Sequence, residues 1–249
     1  MPNNLPNKLL NLVRATIYPN RCICCGKICT DMYFCKDCFG VIKHFDKPLC
    51  TNCGLPVSLC CCGYDEYYFD KVIACFANEG YAQDALYHFK FNGYFAPADF
   101  FAHEMAKAVT ENYNNIKFDI ITAVPMHKSQ LKIRGFNQSE VLARKVAKLL
   151  KTKFRSTLIQ PKPTKNQHNA ESIRERFLIT KDKYKACGNF NNKKILLVDD
   201  IKTTGATLTE CARMLKLAGA ESVCCLTALT TLPKTKPHTY NNAASKTYV

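Results

Sequence analysis

Four cysteine half-sites near the start of the chain are spaced for metal chemistry. Cys22-x-x-Cys25-Gly26 precedes Cys35-x-x-Cys38, and Cys50-x-x-Cys53-Gly54 precedes Cys60-Cys61-Cys62-Gly63. A Cys-x-x-Cys turn presents two sulfurs from one tight loop, and Zn²⁺ completes a tetrahedron with two such turns. A glycine after the second cysteine admits the backbone conformation in which amide N–H groups turn toward sulfur. The pattern predicts two closed structural zinc sites. The simpler partition is sequential: Cys22, Cys25, Cys35 and Cys38 in one, Cys50, Cys53, Cys60 and Cys62 in the other. Spacing alone leaves an interleaved partition open. Cys62 is preferred to Cys61 because Gly63 follows it. Cys24 and Cys29 are spare, and the later cysteines at 75, 187, 211, 224 and 225 read as core or surface thiols.

A second chemical segment lies near the other end. In residues 194–207 an apolar run, Ile195-Leu196-Leu197-Val198, leads into Asp199-Asp200, then Ile201-Lys202-Thr203-Thr204-Gly205-Ala206-Thr207. A loop that opens a helix directs free N–H groups and the positive helix end toward an anion. Thr203, Thr204 and Thr207 add hydroxyls, and Gly205 lets backbone approach a phosphate closely. Two adjacent carboxylates do not bind phosphate; they suit the vicinal hydroxyls of a sugar. A 5-phosphorylated ribose satisfies both halves.

These groups need a scaffold, and the sequence after residue 64 supplies one. Strand patterns at 70–77, 120–124, 194–198 and 222–229 alternate with helical patterns at 81–91, 96–109, 135–150 and 206–218. That alternation predicts a parallel sheet covered by helices on both faces. Ligands of such sheets bind at the carboxyl ends of the strands, where Asp199 and Asp200 stand. The expected organisation is an amphipathic helix at 1–20, a double zinc ribbon at 21–64, an α/β domain at 68–232 and a loose tail at 233–249. With 249 residues, 16 Cys and a net charge of +15, the chain is no acidic tail, collagen or membrane-spanning protein. The broken apolar pattern of the first residues is unlike a signal peptide, which together with reduced Cys-x-x-Cys pairs predicts a cytoplasmic protein.

Residues 195–207 resemble the signature of type I phosphoribosyltransferases, whose donor is phosphoribosyl pyrophosphate (PRPP). The resemblance implies that Asp199 and Asp200 hold the ribose hydroxyls while Thr203, Thr204, Gly205, Ala206 and Thr207 surround the 5-phosphate. Val124-Pro125-Met126-His127-Lys128 resembles the pyrophosphate loop of these enzymes, and Arg134-Gly135-Phe136-Asn137-Gln138 is a run some of them share. Lys128, Lys132 and Arg134 then become pyrophosphate contacts, with Arg134, carried on a mobile loop, joining Asp199 and Asp200 as the catalytic set. Mg²⁺ is implied between ribose and pyrophosphate oxygens. His127 reads as a bystander. The 6-oxopurine enzymes carry an acid where Thr203 stands, which argues against hypoxanthine or guanine salvage.

Taken in order, the zinc turns, the run Leu-Tyr-His-Phe-Lys-Phe-Asn-Gly at 86–93, the Arg134 run and the Asp199 loop resemble the ComF family over residues 18–231. The resemblance implies a phosphoribosyltransferase-type α/β domain preceded by a small zinc ribbon. It also implies a cytoplasmic competence protein that handles incoming single-stranded DNA, with PRPP or a related ligand and competence-machinery proteins as partners. One departure is the Gln167-His168-Asn169 region, where spacing to Arg174, Arg176 and Phe177 is compressed. The alternative is an active phosphoribosyltransferase that makes a nucleotide from PRPP. Residues 128–155 carry nine Lys/Arg against the single acid Glu140. Within that stripe Lys128, Lys132, Arg134, Arg144, Lys145, Lys148 and Lys151 are candidate DNA contacts, with Phe136, Phe154, Tyr64, Tyr67 and Tyr68 available to stack bases.

Overall fold

The computed structural model describes residues 19–29, 33–42, 44–60, 67–91, 94–162 and 173–233. The expected amino-terminal helix lies outside this set up to residue 18, as do Cys61, Cys62, Tyr64, Gln167, His168, Asn169 and the tail beyond 233.

The elements run in the order β1 (Lys71–Ala77), α1 (Gly80–Phe91), α2 (Ala96–Asn112), β2 (Ile120–Ala123), α3 (Lys128–Arg134), α4 (Gln138–Leu149), β3 (Leu158–Ile159), α5 (Ile173–Thr180), β4 (Lys185–Ala186), β5 (Lys194–Lys202), α6 (Ala206–Leu217) and β6 (Ser222–Thr230). Four strands form one parallel sheet in the order β1-β6-β5-β2, and β3 and β4 pair antiparallel beside it.

Continuous apolar strands are what a sheet buried on both faces demands, because neighbouring side chains point to opposite sides. In β5, Leu196 and Val198 join Phe89, Met105 and Leu142 of α1, α2 and α4 on one face. Ile195 and Leu197 join Leu208, Cys211 and Leu215 of α6 on the other. Cys224 and Cys225 divide between the two faces in the same way, so the late cysteines of β6 are core thiols. Burial, foremost, pushes Cys224 up to about 12, where it is inert as a nucleophile.

Two elements differ from expectation. The helix expected at 135–150 is two helices broken at Gly135, which takes the left-handed conformation (φ 83°) and closes α3 with its N–H on Leu131 O. Its pattern of Val141, Leu142, Val146 and Leu149 belongs to α4 alone, while α3 buries no residue and so carries no apolar periodicity to read. Strand β5 also continues past Val198 to Lys202, because the ladder to β6 persists through Asp199↔Thr227, Ile201↔Leu229 and Lys202↔Thr230. The acid pair therefore stands on paired strand rather than in a loop.

The cysteine-rich segment packs onto this sheet rather than beside it. Cys22, Ile23, Cys24, Cys38 and Leu49 share one apolar cluster with Phe76, Phe100 and Phe101. Phe34 and Tyr33 meet Phe100 edge-on at ring separations of 5.1 and 5.7 Å. Thr51 O accepts the Val72 N–H of β1 at 2.9 Å, occupying a donor on the strand's outer side, away from β6. Gly54 permits that approach: with φ 73°, a Cβ there would lie 3.1 Å from Ala74 N.

Candidate functional site

The two glycine-terminated cysteine turns are built alike. Cys22 N–H donates to Lys27 O and Gly26 N–H to Cys22 O; Cys50 N–H donates to Leu55 O and Gly54 N–H to Cys50 O. Each is closed by a bridge between equivalent positions, Arg21↔Ile28 and Leu49↔Pro56. Both glycines have positive φ, 72° and 73°. The repeat was present in the spacing, but only the hydrogen-bond pattern shows that the turns share one geometry.

Each turn brings its sulfurs to a partner in the sequential partition. Cys22, Cys25, Cys35 and Cys38 hold their sulfurs within 4.8 Å of one another, as do Cys50, Cys53 and Cys60. Cys25 and Cys35 Sγ are 3.7 Å apart, as are Cys53 and Cys60 Sγ. A disulfide would close to about 2.05 Å. A zinc tetrahedron with bonds near 2.3 Å has edges of about 3.8 Å, so the sulfurs fit the metal. Burial raises the Cys22 thiol, but the N–H groups of Cys25, Cys35 and Cys24 outweigh it and bring its pKa down to about 6. Cys24 is driven the other way, to about 12, by burial and then by the Cys22 charge, as suits a spare thiol. Two cysteine clusters of this kind can hold structural zinc; Cys62, the expected fourth ligand of the second, is outside the described residues.

A cleft of about 320 Å³ opens where β2 and β5 end, lined by Asp199, Asp200, Thr203, Thr207, Arg134 and Lys90 among others. Asp199 is buried; its Oδ1 accepts Ser139 Oγ–H at 2.7 Å and Asp200 N–H at 2.9 Å. Burial, then the charge of Asp200, pushes its pKa up to about 7. Asp200 accepts Ile201 N–H on Oδ1 and pairs with Lys90 Nζ through Oδ2, both at 2.6 Å. Asn137 caps α4 through Ser139 N–H and donates to Val124 O at 3.0 Å, fixing the turn after β2 against the helix that carries Ser139. At Gly205, φ 85° starts α6 and Tyr67 lies against the glycine, 3.2 Å from where a Cβ would be.

The predicted residues divide accordingly. Asp199, Asp200, Thr203, Thr207 and Arg134 converge on the cleft. Thr204 instead accepts Ala206 N–H, and Ala206 faces a separate cleft with Phe177 and Arg213. Lys128 is the exposed first residue of α3 and lines an adjoining 190 Å³ cleft with Phe154 and Leu158, away from the acids. Arg134 is no loop residue: it ends α3, donates to Gln138 Oε1 at 3.1 Å and lies 4.9 Å from the Phe91 ring centre. His127, expected to be idle, caps α3 by accepting Ser129 N–H. Lys90, Ser139, Gln160 and Tyr184 complete the cleft. Lys90 was legible only as a member of the 86–93 run, and nothing in the spacing pointed to the other three.

The basic stripe is less uniform than its sequence. Arg144 pairs with Glu140 at 2.7 Å and covers Phe154 at 4.2 Å, and Lys145 pairs with Asp99 at 2.5 Å. Lys128, Lys132, Lys148 and Lys151 are exposed. Phe136 packs on Phe89 and Phe95, and Tyr67 stacks on Phe69, so these rings are engaged within the protein. Of the candidate stacking residues Tyr68 is exposed, and exposed aromatics stand also at Tyr87 and Phe91.

Against this geometry, residues 136–246 match the model of the phosphoribosyl transferase domain. The chain is 26% identical over 198 residues to the competence protein ComFC of Streptococcus pneumoniae, covering 78% of this chain and 86% of that one. The ComFC of Bacillus subtilis is 25% identical over 198 residues, 74% and 78% of the two chains. The resemblance to the ComF family is borne out. The sheet and the matched domain make the fold of the phosphoribosyltransferase type, and the amino-terminal cysteine clusters fit a zinc-ribbon-like segment. The DNA utilization protein YhgH of Escherichia coli is 31% identical over 107 residues, 42% of this chain and 46% of that one. Among solved structures, a purine phosphoribosyltransferase from Pyrococcus horikoshii overlays 59% of the chain and 95% of its own, at 14% identity and TM-score 0.35. Among the described residues no helix is long and apolar enough to cross a membrane.

Proposed function

We propose that this ComF-like protein serves DNA uptake as a cytoplasmic handler of single-stranded DNA, with a cleft that binds PRPP or a related phosphoribosyl ligand. The observation that carries the ligand assignment is the convergence of Asp199, Asp200, Thr203, Thr207 and Arg134 on one cleft at the strand ends. The acids suit the ribose hydroxyls, the threonines the 5-phosphate, and Arg134 the pyrophosphate. Asp199 and Asp200 would hold Mg²⁺ at the cleft, where it would supply positive charge toward a ligand's phosphates. The competence names of the relatives support the cellular role.

The DNA assignment rests on exposed cations. Lys132, Lys148 and Lys151 have charge to offer a phosphate chain, whereas Arg144 and Lys145 are already paired within the protein. Anisotropy of a labelled oligothymidylate at about 50 and 200 mM salt tests this. Alanine at Lys132, Lys148 and Lys151 together is expected to weaken binding and to flatten the salt slope by about 2. Lys145→Ala is expected to leave the slope nearly unchanged. Binding without salt dependence would refute the electrostatic assignment.

A second function, nucleotide formation from PRPP, is favoured by the 190 Å³ cleft that shares Pro125, Met126, Asn137 and Gln160 with the acid-pair cleft. It offers an apolar space for a flat acceptor, and turnover of PRPP with a nucleobase would promote this function over the first.

A further inference from the structure

Each oxygen of Asp200 carries a partner: Ile201 N–H donates to Oδ1 and the Lys90 ammonium pairs with Oδ2. Both side chains of that ion pair are only 15% exposed. Lys90 projects from the last turn of α1, the element after β1, so the pair ties opposite walls of the cleft together. Among the residues lining the cleft, Asp199 and Asp200 are the acids and Lys90 and Arg134 the cations. A divalent cation at Asp200 Oδ2 would meet the Lys90 ammonium held 2.6 Å from the same oxygen, so its approach works against that charge until Lys90 moves away. For a displaced Lys90 the other carboxylate on the cleft wall, Asp199, is buried and already accepts two hydrogen bonds, so the phosphate of an incoming ligand is the accessible anion. A lysine suits this exchange, being a compact charge on a flexible stem. Mg²⁺ commonly sits between one or two carboxylates and ligand phosphates, so it competes with the ammonium for the same oxygen.

We propose that Lys90 is a built-in counter-ion that keeps divalent metal off the acid pair until a phosphorylated sugar arrives. Lys90 then transfers from Asp200 to the ligand's phosphate, and the freed carboxylate accepts the ribose hydroxyl or the cation. This rests on the phosphoribosyl reading of the cleft. It makes Lys90 a positioning residue whose role appears in metal binding rather than in turnover.

The test is Mn²⁺ binding to the zinc-loaded full-length protein, read as free Mn²⁺ by electron paramagnetic resonance, with and without ribose 5-phosphate. The wild type is expected to bind Mn²⁺ weakly alone and at least about tenfold more tightly with the sugar phosphate. Lys90→Met is expected to gain that tenfold without sugar, about 1.4 kcal/mol, and to lose the response to it. Lys90→Arg should keep the wild-type pattern, and Lys90→Met with Asp200→Asn should bind weakly again. A folded Lys90→Met with wild-type Mn²⁺ affinity would overturn the proposal. Should that variant not fold, Mn²⁺ binding to the wild type that ignores a bound sugar phosphate overturns it equally. Calorimetry of ribose 5-phosphate with the wild type keeps the two claims apart. Its failure refutes the cleft's ligand class, whereas the Mn²⁺ gain in Lys90→Met is read without any sugar.

Discussion

Replacing Cys22 with serine is expected to lower the zinc content from two ions per chain to one and to abolish the cooperative thermal transition of the whole protein. Cys22 is 1% exposed and lies in the same apolar cluster as Phe76, Phe100 and Phe101. A ligand lost here does more than unravel a peripheral loop. It releases Ile23, Tyr33 and Phe34 from the face of α2 and uncovers one side of the main core. Structural zinc contributes roughly 10 kcal/mol to segments of this kind, comparable with the entire stability of a domain. Cys24→Ala, two positions away, should keep both ions, because Cys24 packs in the core without belonging to the four-sulfur group. In the second cluster Cys62→Ser should cost one ion and Cys61→Ser none. Metal analysis beside calorimetric melting reads all four variants. Two ions retained with an unchanged melt in Cys22→Ser would refute the assignment.

The second large effect concerns Asp199. Burial, first, and the adjacent Asp200 charge raise its pKa from 3.8 to about 7 in the folded protein. Between those values the folded state holds a proton that an unfolded aspartate has released. Stability is therefore greatest at and below about pH 4 as far as this group is concerned, and it falls as pH rises toward 7. Asp199→Asn keeps an oxygen to accept the Ser139 Oγ–H and Asp200 N–H bonds while removing the titration. At pH 8 the variant is expected to be more stable than the wild type by roughly 2 kcal/mol, or about 5 °C in melting temperature. The gap should close near pH 4, where the unfolded aspartate also holds its proton. The same substitution is expected to cost sugar-phosphate affinity about 100-fold, since the acid that destabilises the fold is the one that accepts the ribose hydroxyls. A variant less stable than the wild type at pH 8, at equal zinc content, would contradict the origin of the shift.

The parts that local pattern specifies were legible in the sequence. Cysteine spacing located the half-sites, because a Cys-x-x-Cys-Gly turn is a local structure whose hydrogen bonds close within six residues, but it left their partition open between sequential and interleaved. The apolar runs Ile195–Val198 of β5 and Val223–Leu226 of β6 located the central strands, because a sheet buried on both faces favours apolar side chains on both sides of a strand. Helix α3 was hidden, since all its side chains remain at least partly exposed and it has no apolar stripe. Long-range electrostatics was hidden as well. The Lys90–Asp200 pair joins the end of α1 to β5 with every element from α2 to β4 between them, and Ser139 meets Asp199 across 60 positions. The basic stripe was overestimated for a related reason. The acids that neutralise its members come from Glu140 on the same helix and from Asp99 on α2, and the second cannot be paired by sequence distance.

The central claim is that Asp199, Asp200 and the threonine turn form a working phosphoribosyl cleft, and calorimetric titration of PRPP with Mg²⁺ tests it most directly. One ligand is expected to bind per zinc-loaded chain, with Asp199→Asn/Asp200→Asn eliminating the heat while leaving zinc content intact. Absence of binding to the folded wild type at millimolar PRPP, or unchanged binding in the double variant, would contradict the account.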